Sequence, residues 1–440
     1  MSSQQEPGAG GQPPTDVGSA DADPTRRAVA GGPPTELGDN RWPDALRRIA
    51  QGGWLVSLGA VVLAVLAGSI LIALTDEGVH EASRYFFSRP GDTLAAVGTS
   101  VGGAYSALFR GAVWNYEADS LAAAIRPLTS SLNFATPLIG AGLGVAVAFR
   151  AGLFNIGGQG QILIAAGAAG WVGFGLDLPF PLHMLLAMVA GIAAGALWSG
   201  IAGLLKATTG AHEVIVTIML NYIAFYLLSY ALATPGLLQA PGSSNPKTAA
   251  MKDTAVFPDL LGPRFNLNLG FLIALIAVGL VWWLLKRSTT GFAFRAVGEN
   301  PSAARVAGFD VSRTIVYAML VSGGLIGLAG VTQVLGTVTT GFSSDIDAGI
   351  GFDAITVALL GRSTPFGVLA AAILFGAFKA GGSTMQAAQN IPIEIVLVVQ
   401  SLIVLFIAAP PLVRAVFRLP QPGARRKADR PDRHREEVQA

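Results

Sequence analysis

Apolar runs of about twenty residues recur along this chain, several of them closed by a basic residue, and that length is what a helix needs to cross a bilayer. Inside lipid every backbone N–H and C=O must be paired within the segment, so continuous runs of this kind fold as helices. Only 13% of the residues are charged against 52% hydrophobic, with a mean hydropathy of +0.55. Ordinary soluble domains carry about a quarter charged residues. The predicted fold class is therefore all-α, a polytopic transmembrane helix bundle.

In chain order the spans read as Trp54–Leu74, Ile125–Phe149, Leu153–Phe174, Leu182–Leu205, Val214–Ala233, Leu269–Leu285, Thr314–Leu335, Ile350–Leu360, Phe366–Ala380 and Ile393–Ala409, about ten helices. Arg41, Arg47 and Arg48 precede the first span and put the N-terminus in the cytoplasm by the positive-inside rule. Arg150, Lys206, Lys286, Arg287, Arg362 and Arg414 then all fall on that side. An even count returns the basic C-terminal tail (Arg425, Arg426, Lys427) to it, so both termini are expected in the cytoplasm. Lys379 falls near the outer end of its span and reads as a snorkelling side chain.

Residues 1–45, rich in Gly, Pro, Ser and Asp, bury too little surface to fold and read as a disordered cytoplasmic tail. Residues 46–413 form the transmembrane domain, and 414–440 a basic cytoplasmic tail. Asp76–Ser120 reads as an external segment of mixed charge, with Tyr85, Phe86, Phe87 and Trp114 at the lipid interface. Pro127 and Pro137 predict a kink or break in the second span. Gly140 with Gly144, Gly191 with Gly195, and Gly323 with Gly327 are small-xxx-small pairs that let helices approach closely.

One polar stretch, residues 286–313, contains more structure than a plain connection requires. Its Lys286, Arg287, Arg295, Arg305 and Arg313 mark it as cytoplasmic. Asn300-Pro301 has the form of a helix N-cap and first helical position. A short helix over Ser302–Val306 is predicted, stopped at Gly308. A built-in capped helix in a loop predicts a docking element.

Several classes of function are excluded. There is no cysteine, hence no disulfide, thiolate metal site or cysteine nucleophile. His80, His183, His212 and His434 lack metal-ligand spacing, so no metal site is expected. A net charge of +2 gives no basic footprint for nucleic acid. No Gly-Lys pair occurs, so a Walker-type phosphate loop is absent and the chain is not expected to hydrolyse ATP by that route. No catalytic residues are assigned.

Polar side chains within lipid are costly and need a reason. Phe154, Asn155, Gln159 and Gln161 surround a Gly-rich start of a span, where a broken helix would line a transport path. Asn221, Gln333 and Asp353 are the other pathway candidates; hydrogen bonding between neighbouring helices is the alternative role for such amides. Glu213 sits where an acid favours a helix N-terminus.

Four stretches, in order, resemble a known family: Arg150–Gly157, Glu213–Tyr222, Arg295–Arg305 with Ala307-Gly308, and Gly351–Gly361. They are similar to the permease subunits of bacterial ABC importers of the branched-chain amino acid and simple-sugar group, most like nucleoside-type permeases. The resemblance implies a multi-pass subunit of the bacterial cell membrane that moves a nucleoside or simple sugar inward. It implies three protein partners: a separate ABC ATPase that carries ATP and Mg, a second permease subunit, and an extracellular solute-binding lipoprotein. This chain would bind no cofactor. By the same resemblance, Glu299–Gly308 is the coupling helix. Arg295, Glu299, Asn300, Ala303, Ala304, Arg305 and Gly308 would then meet the ATPase. The competing reading is a secondary transporter driven by an ion gradient, with Glu213, Asp353 and Glu394 as its only candidate carboxylates.

Overall fold

The computed structural model describes residues 53–408, with Val416 alone beyond them. The expected tails at 1–45 and 414–440 lie outside the described residues. Helices account for nearly all the regular structure, and no strand is present among the described residues beyond one isolated bridge between Asp259 and Asn268.

The helices are α1 (Gly53–Thr75), α2 (Glu77–Ser83), α3 (Pro90–Ala112), α4 (Leu121–Arg150), α5 (Gly158–Gly175), α6 (Leu182–Thr209), α7 (Glu213–Ala233) and α8 (Leu269–Arg287). They continue as α9 (Thr289–Glu299), α10 (Pro301–Val306), α11 (Val311–Thr332, extended by a wide turn over Gln333–Thr337), α12 (Ile350–Leu360), α13 (Pro365–Gln389) and α14 (Ile393–Ala408). Six of them, α4, α6, α7, α8, α11 with its extension and α13, are long and apolar enough to cross a membrane. The number becomes seven if α1 and α2, bent by 75° at Asp76, form one span.

Three details differ from what the sequence predicts. Asp76–Ser120, read as an external segment, contains the 23-residue helix α3. Pro90 opens that helix at a position where its missing N–H costs nothing. Small residues seat α3 on α13: a methyl on Gly381 would lie 3.2 Å from Ala112 Cβ. The polar Asp92, Thr93, Thr99 and Ser100 lower its hydropathy and hide it from an apolar-run reading. Secondly, α4 is not broken at Pro127 or Pro137, both of which lie inside one helix. Each proline removes a single N–H, and close packing on neighbouring helices holds the rest of the ladder. Thirdly, Lys379 does not snorkel: its Nζ lies 3.0 Å from Asp353 Oδ2 and also donates to Ala348 O at 3.4 Å.

Glycines set the centre of the bundle, where α11 lies between α4 and α6. A methyl on Gly195 of α6 would sit 2.7 Å from the Gly323 carbonyl oxygen of α11 and 2.7 Å from Gly327 Cα. On the opposite side, a methyl on Gly144 of α4 would lie 2.5 Å from Ser322 O, and one on Gly140 3.1 Å from Leu325 O. The three glycine pairs legible in the sequence thus converge on one helix. Apolar burial between helices gains little when lipid is the alternative, so this close backbone approach and its dispersion energy hold the layers.

At one end of the bundle Arg150 donates to the carbonyls of Ser363 and Arg362 and shares a cavity with Lys286 and Arg295, at the base of the loop 288–310; this is the loop end. At the far end, Asn268 ties α8 to α4 and α11 by donating to Asn133 Oδ1 (3.3 Å) and Gly336 O (2.9 Å). There the Lys252 ammonium, 2.5 Å from Asp177, hydrogen-bonds this carboxylate and holds it below its usual pKa.

Candidate solute cleft and docking loop

Between α4 and α5 the chain leaves helical geometry over residues 151–157 and re-enters the bundle before α5 begins. Buried amides hold this break. Asn155 is fully buried; its Nδ2 donates to Gln161 Oε1 (3.2 Å) and Ser322 Oγ (3.0 Å). Its Oδ1 accepts from Gly157 N and from Gln161 Nε2, both at 3.0 Å. Asn221 of α7 accepts from Gly160 N at 2.8 Å and donates to Ile156 O at 3.0 Å, spending both ends of its amide. Asn155, Gln161 and Asn221 therefore satisfy backbone and side-chain groups that lipid could not.

Asn221 lies eight residues into α7, about 12 Å along the helix from its loop end. The start of α5 is thus well inside the bundle. The start of α12 meets it there: a methyl on Gly158 would lie 2.7 Å from Gly351 O. From that point α12 runs 11 residues back to the loop end, where Arg150 Nε donates to Ser363 O at 2.9 Å. Two short helices therefore begin back to back inside the bundle, an arrangement that turns their positive dipole ends toward the middle of the structure. Asp347 caps α12 by accepting from Gly351 N (2.9 Å) and Gly349 N (3.1 Å).

Beside this junction is a cleft of about 320 Å³, lined by Gln159, Ile218, Asn221, Tyr222, Phe225, Tyr226 and Phe352. Its volume is at the small end of the range for pockets that hold metabolites. Gln159 is partly exposed and lines the cleft together with aromatic side chains, the combination that orients a flat polar ring. Tyr222, Tyr226 and Tyr230 follow at i, i+4 and i+8 along one face of α7 and are 59%, 67% and 64% exposed.

The other pathway candidates lie elsewhere. Gln333 is buried and donates to Ile346 O at 3.4 Å. Phe154 stacks on Phe149 with ring centroids 5.0 Å apart, and its N–H faces Glu213 Oε1 at 3.5 Å. Glu213 pairs with Lys206 at 2.6 Å. Asp353 is held by Lys379, one residue from Phe352 at the cleft wall. Replacing Lys379 with Met would leave that partly buried carboxylate without its cation, and a loss of about 1–3 kcal/mol is expected. A thermal midpoint matching wild type, measured on purified protein, would contradict it. The aromatic walls Tyr226, Phe225 and Phe352 were not selected from the sequence, although the four-residue tyrosine spacing was a readable sign.

The projecting loop holds two helices where the sequence predicts one. Ser288 caps α9 by accepting from Gly291 N at 2.9 Å. Asn300 Oδ1 accepts from Ser302 N and Ala303 N, both at 3.0 Å, with Pro301 at the first position of α10. Gly308, at φ +90°, turns the chain out, a backbone state that a side chain would strain. Ala304 is buried against Val297 and Val311 and fastens the helix to the bundle. Arg295 is partly buried beneath. Glu299, Asn300, Ala303, Arg305 and Gly308 are exposed, and so is Val306 at 91%. Val306 was missed by the sequence reading; an apolar residue at the tip of an exposed helix marks a partner surface.

Residues 128–408 match the family described as branched-chain amino acid transport system / permease component. The guanosine ABC transporter permease protein NupP of Bacillus subtilis is 36% identical over 375 residues, covering 84% of this chain and 97% of that protein. The nucleoside ABC transporter permease protein NupB of Lactococcus lactis is 35% identical, covering 69% of this chain and 86% of its own. The glucose ABC transporter permease protein TsgB13 of Haloferax volcanii is 35% identical over 64% of this chain and 75% of its own. No solved structure matches the chain. With its apolar helices, its interrupted span and its capped loop helix, the chain belongs to the branched-chain amino acid transport system / permease component family and is a multi-pass membrane permease of an ABC transporter.

Proposed function

We propose that this permease carries a nucleoside or a simple sugar inward, through a path it shares with a second permease subunit. The cleft beside the α5–α12 junction carries this reading. Tyrosine hydroxyls facing hydrocarbon would be costly, so the stripe Tyr222-Tyr226-Tyr230 faces a second subunit or a watered path. An aromatic cleft with one free amide suits a ring that stacks and hydrogen-bonds. The sparse polar lining makes it a low-affinity conduit, with selection left to an extracellular binding lipoprotein. Nucleosides rank ahead of sugars, because NupP and NupB, named for guanosine and nucleosides, cover 84% and 69% of this chain, against 64% for TsgB13, named for glucose.

Energy enters through a cytoplasmic ATPase, which carries ATP and Mg and receives the exposed face of α10. In this reading the chain crosses the membrane about ten times, with α1, α5, α12 and α14 supplementing the six long spans and both termini cytoplasmic. An ion-gradient mechanism fits poorly, since two of its three candidate carboxylates, Glu213 and Asp353, are each committed to a lysine and the third, Glu394, is exposed in the first turn of α14.

Uptake by the assembled complex in proteoliposomes tests the cleft. Tyr226→Ala and Phe352→Ala are each expected to raise the KM for guanosine about tenfold, in keeping with the loss of one stacking contact. Leu227→Ala, outside the cleft, should leave it unchanged. Unaltered KM in both aromatic variants would remove the cleft from the path. Uptake driven by an ion gradient without an ATPase would remove the importer reading altogether.

A further inference from the structure

A separate cavity of about 360 Å³ opens at the loop end and contains Arg150 from the end of α4, Lys286 from the end of α8 and Arg295 from α9. Neither of the other two helps to neutralise the third, and none of the three has a carboxylate within salt-bridge distance among the described residues. Arg150 spends part of its guanidinium on the carbonyls of Ser363 (2.9 Å) and Arg362 (3.3 Å), which fixes its position without reducing its charge. The 25-residue helix α13 also starts at this cavity. Its first positions, Pro365 and Phe366, line the wall. The Thr364 hydroxyl, which could have capped α13, instead donates to Gly361 O at 2.8 Å. Three converging cations and a helix start without a side-chain cap set up a strongly positive concavity.

Gathering like charges without a counter-charge is unfavourable, more so where water is partly excluded. Trp282 and Phe366, 38% and 59% exposed, line the same cavity and supply an apolar rim. Trp282 belongs to a helix apolar enough to cross the membrane, four residues before Lys286. This places the cavity where the interface of the bilayer falls, with aromatic surface for acyl chains and cations for a headgroup.

We infer that this cavity binds the phosphate of an anionic phospholipid, with Arg150, Lys286 and Arg295 as its cationic ligands and Trp282 and Phe366 against its chains. The site stands apart from the solute cleft and does not depend on which solute is carried. It connects α4, α8, α9 and α13 at the base of the docking loop, so a bound lipid would brace the segment that carries α10.

Native mass spectrometry of the full detergent-extracted complex, titrated with phosphatidylglycerol, tests the inference. Wild type is expected to retain phosphatidylglycerol in preference to phosphatidylcholine. Lys286→Gln is expected to weaken that affinity about fivefold, the worth of one basic residue at an anionic surface. Arg287→Gln, whose side chain lies outside the cavity, should change it little. Arg150 also holds two backbone carbonyls, so Lys286→Gln is the primary variant and Arg150→Lys the second, retaining charge and most of the affinity. Equal loss in Arg287→Gln would overturn the site in favour of general surface charge. Equal retention of phosphatidylcholine would overturn it too. Displacement by millimolar inorganic phosphate, with no lipid preference, would show a free-anion site and refute the lipid assignment.

Discussion

Gly323→Leu is expected to abolish recovery of folded protein. Gly323 faces Gly195 across the α6–α11 contact, and any side chain there would enter both the Gly195 carbonyl and Ser199 Cβ. Overpacking a close-packed core costs about 1–3 kcal/mol when side chains can shift. Here the obstacle is backbone, so relief requires separating two helices whose contact runs from Gly191 to Gly203. The cost is expected to exceed about 3 kcal/mol, a large part of the 5–15 kcal/mol that typically separates folded from unfolded chains. Fluorescence-detected size-exclusion chromatography of a tagged variant is the measurement. Gly279→Leu is the control, since a methyl there meets nothing within 4 Å. A monodisperse Gly323→Leu peak of wild-type height would show that this approach does not limit folding.

The second large effect concerns α10. Glu299→Ala with Arg305→Ala, and separately Val306→Asp, are expected to reduce ATP-driven uptake about a hundredfold or more, as loss of two interface hot spots would. Thermal stability should stay near wild type, because all three side chains are exposed and touch little of their own chain. Ala304→Leu makes the contrast: Ala304 is buried against Val297 and Val311, so its replacement should destabilise the loop itself. Solute-stimulated ATPase activity at wild-type level in the double variant would show that α10 is not where force is received.

What could be read in advance depended on whether one residue's local neighbours decided the outcome. The α10 start was legible, because Asn300 and Pro301 act over three residues and need no tertiary partner. So were the long apolar helices and the glycine pairs. The second loop helix α9 was not, since it follows α8 with only Ser288 between them and reads as a charged connection. Helix α3 was hidden because its polar residues, such as Ser100 bonded to Asp76, are satisfied by distant parts of the chain. Lys379 was misread for the same reason, its partner Asp353 being 26 positions away.

The candidate site divides in a similar way. Asn155, Gln159, Gln161 and Asn221 stood out because amides in lipid need partners. Only the fold showed that three of them are spent holding the broken segment, leaving Gln159 as the amide at the cleft. Sequence alone determined that this chain is a helical membrane protein with a capped, exposed loop helix and no ATP site of the Walker type. Those properties follow from segment length, local capping and the absence of a motif. The tertiary structure decided that α5 and α12 begin against each other, that Tyr226 and Phe352 wall a cleft there, and that three cations share one cavity. Each of those is a meeting of residues far apart in the chain, set by which helices pack, and no local pattern encodes it.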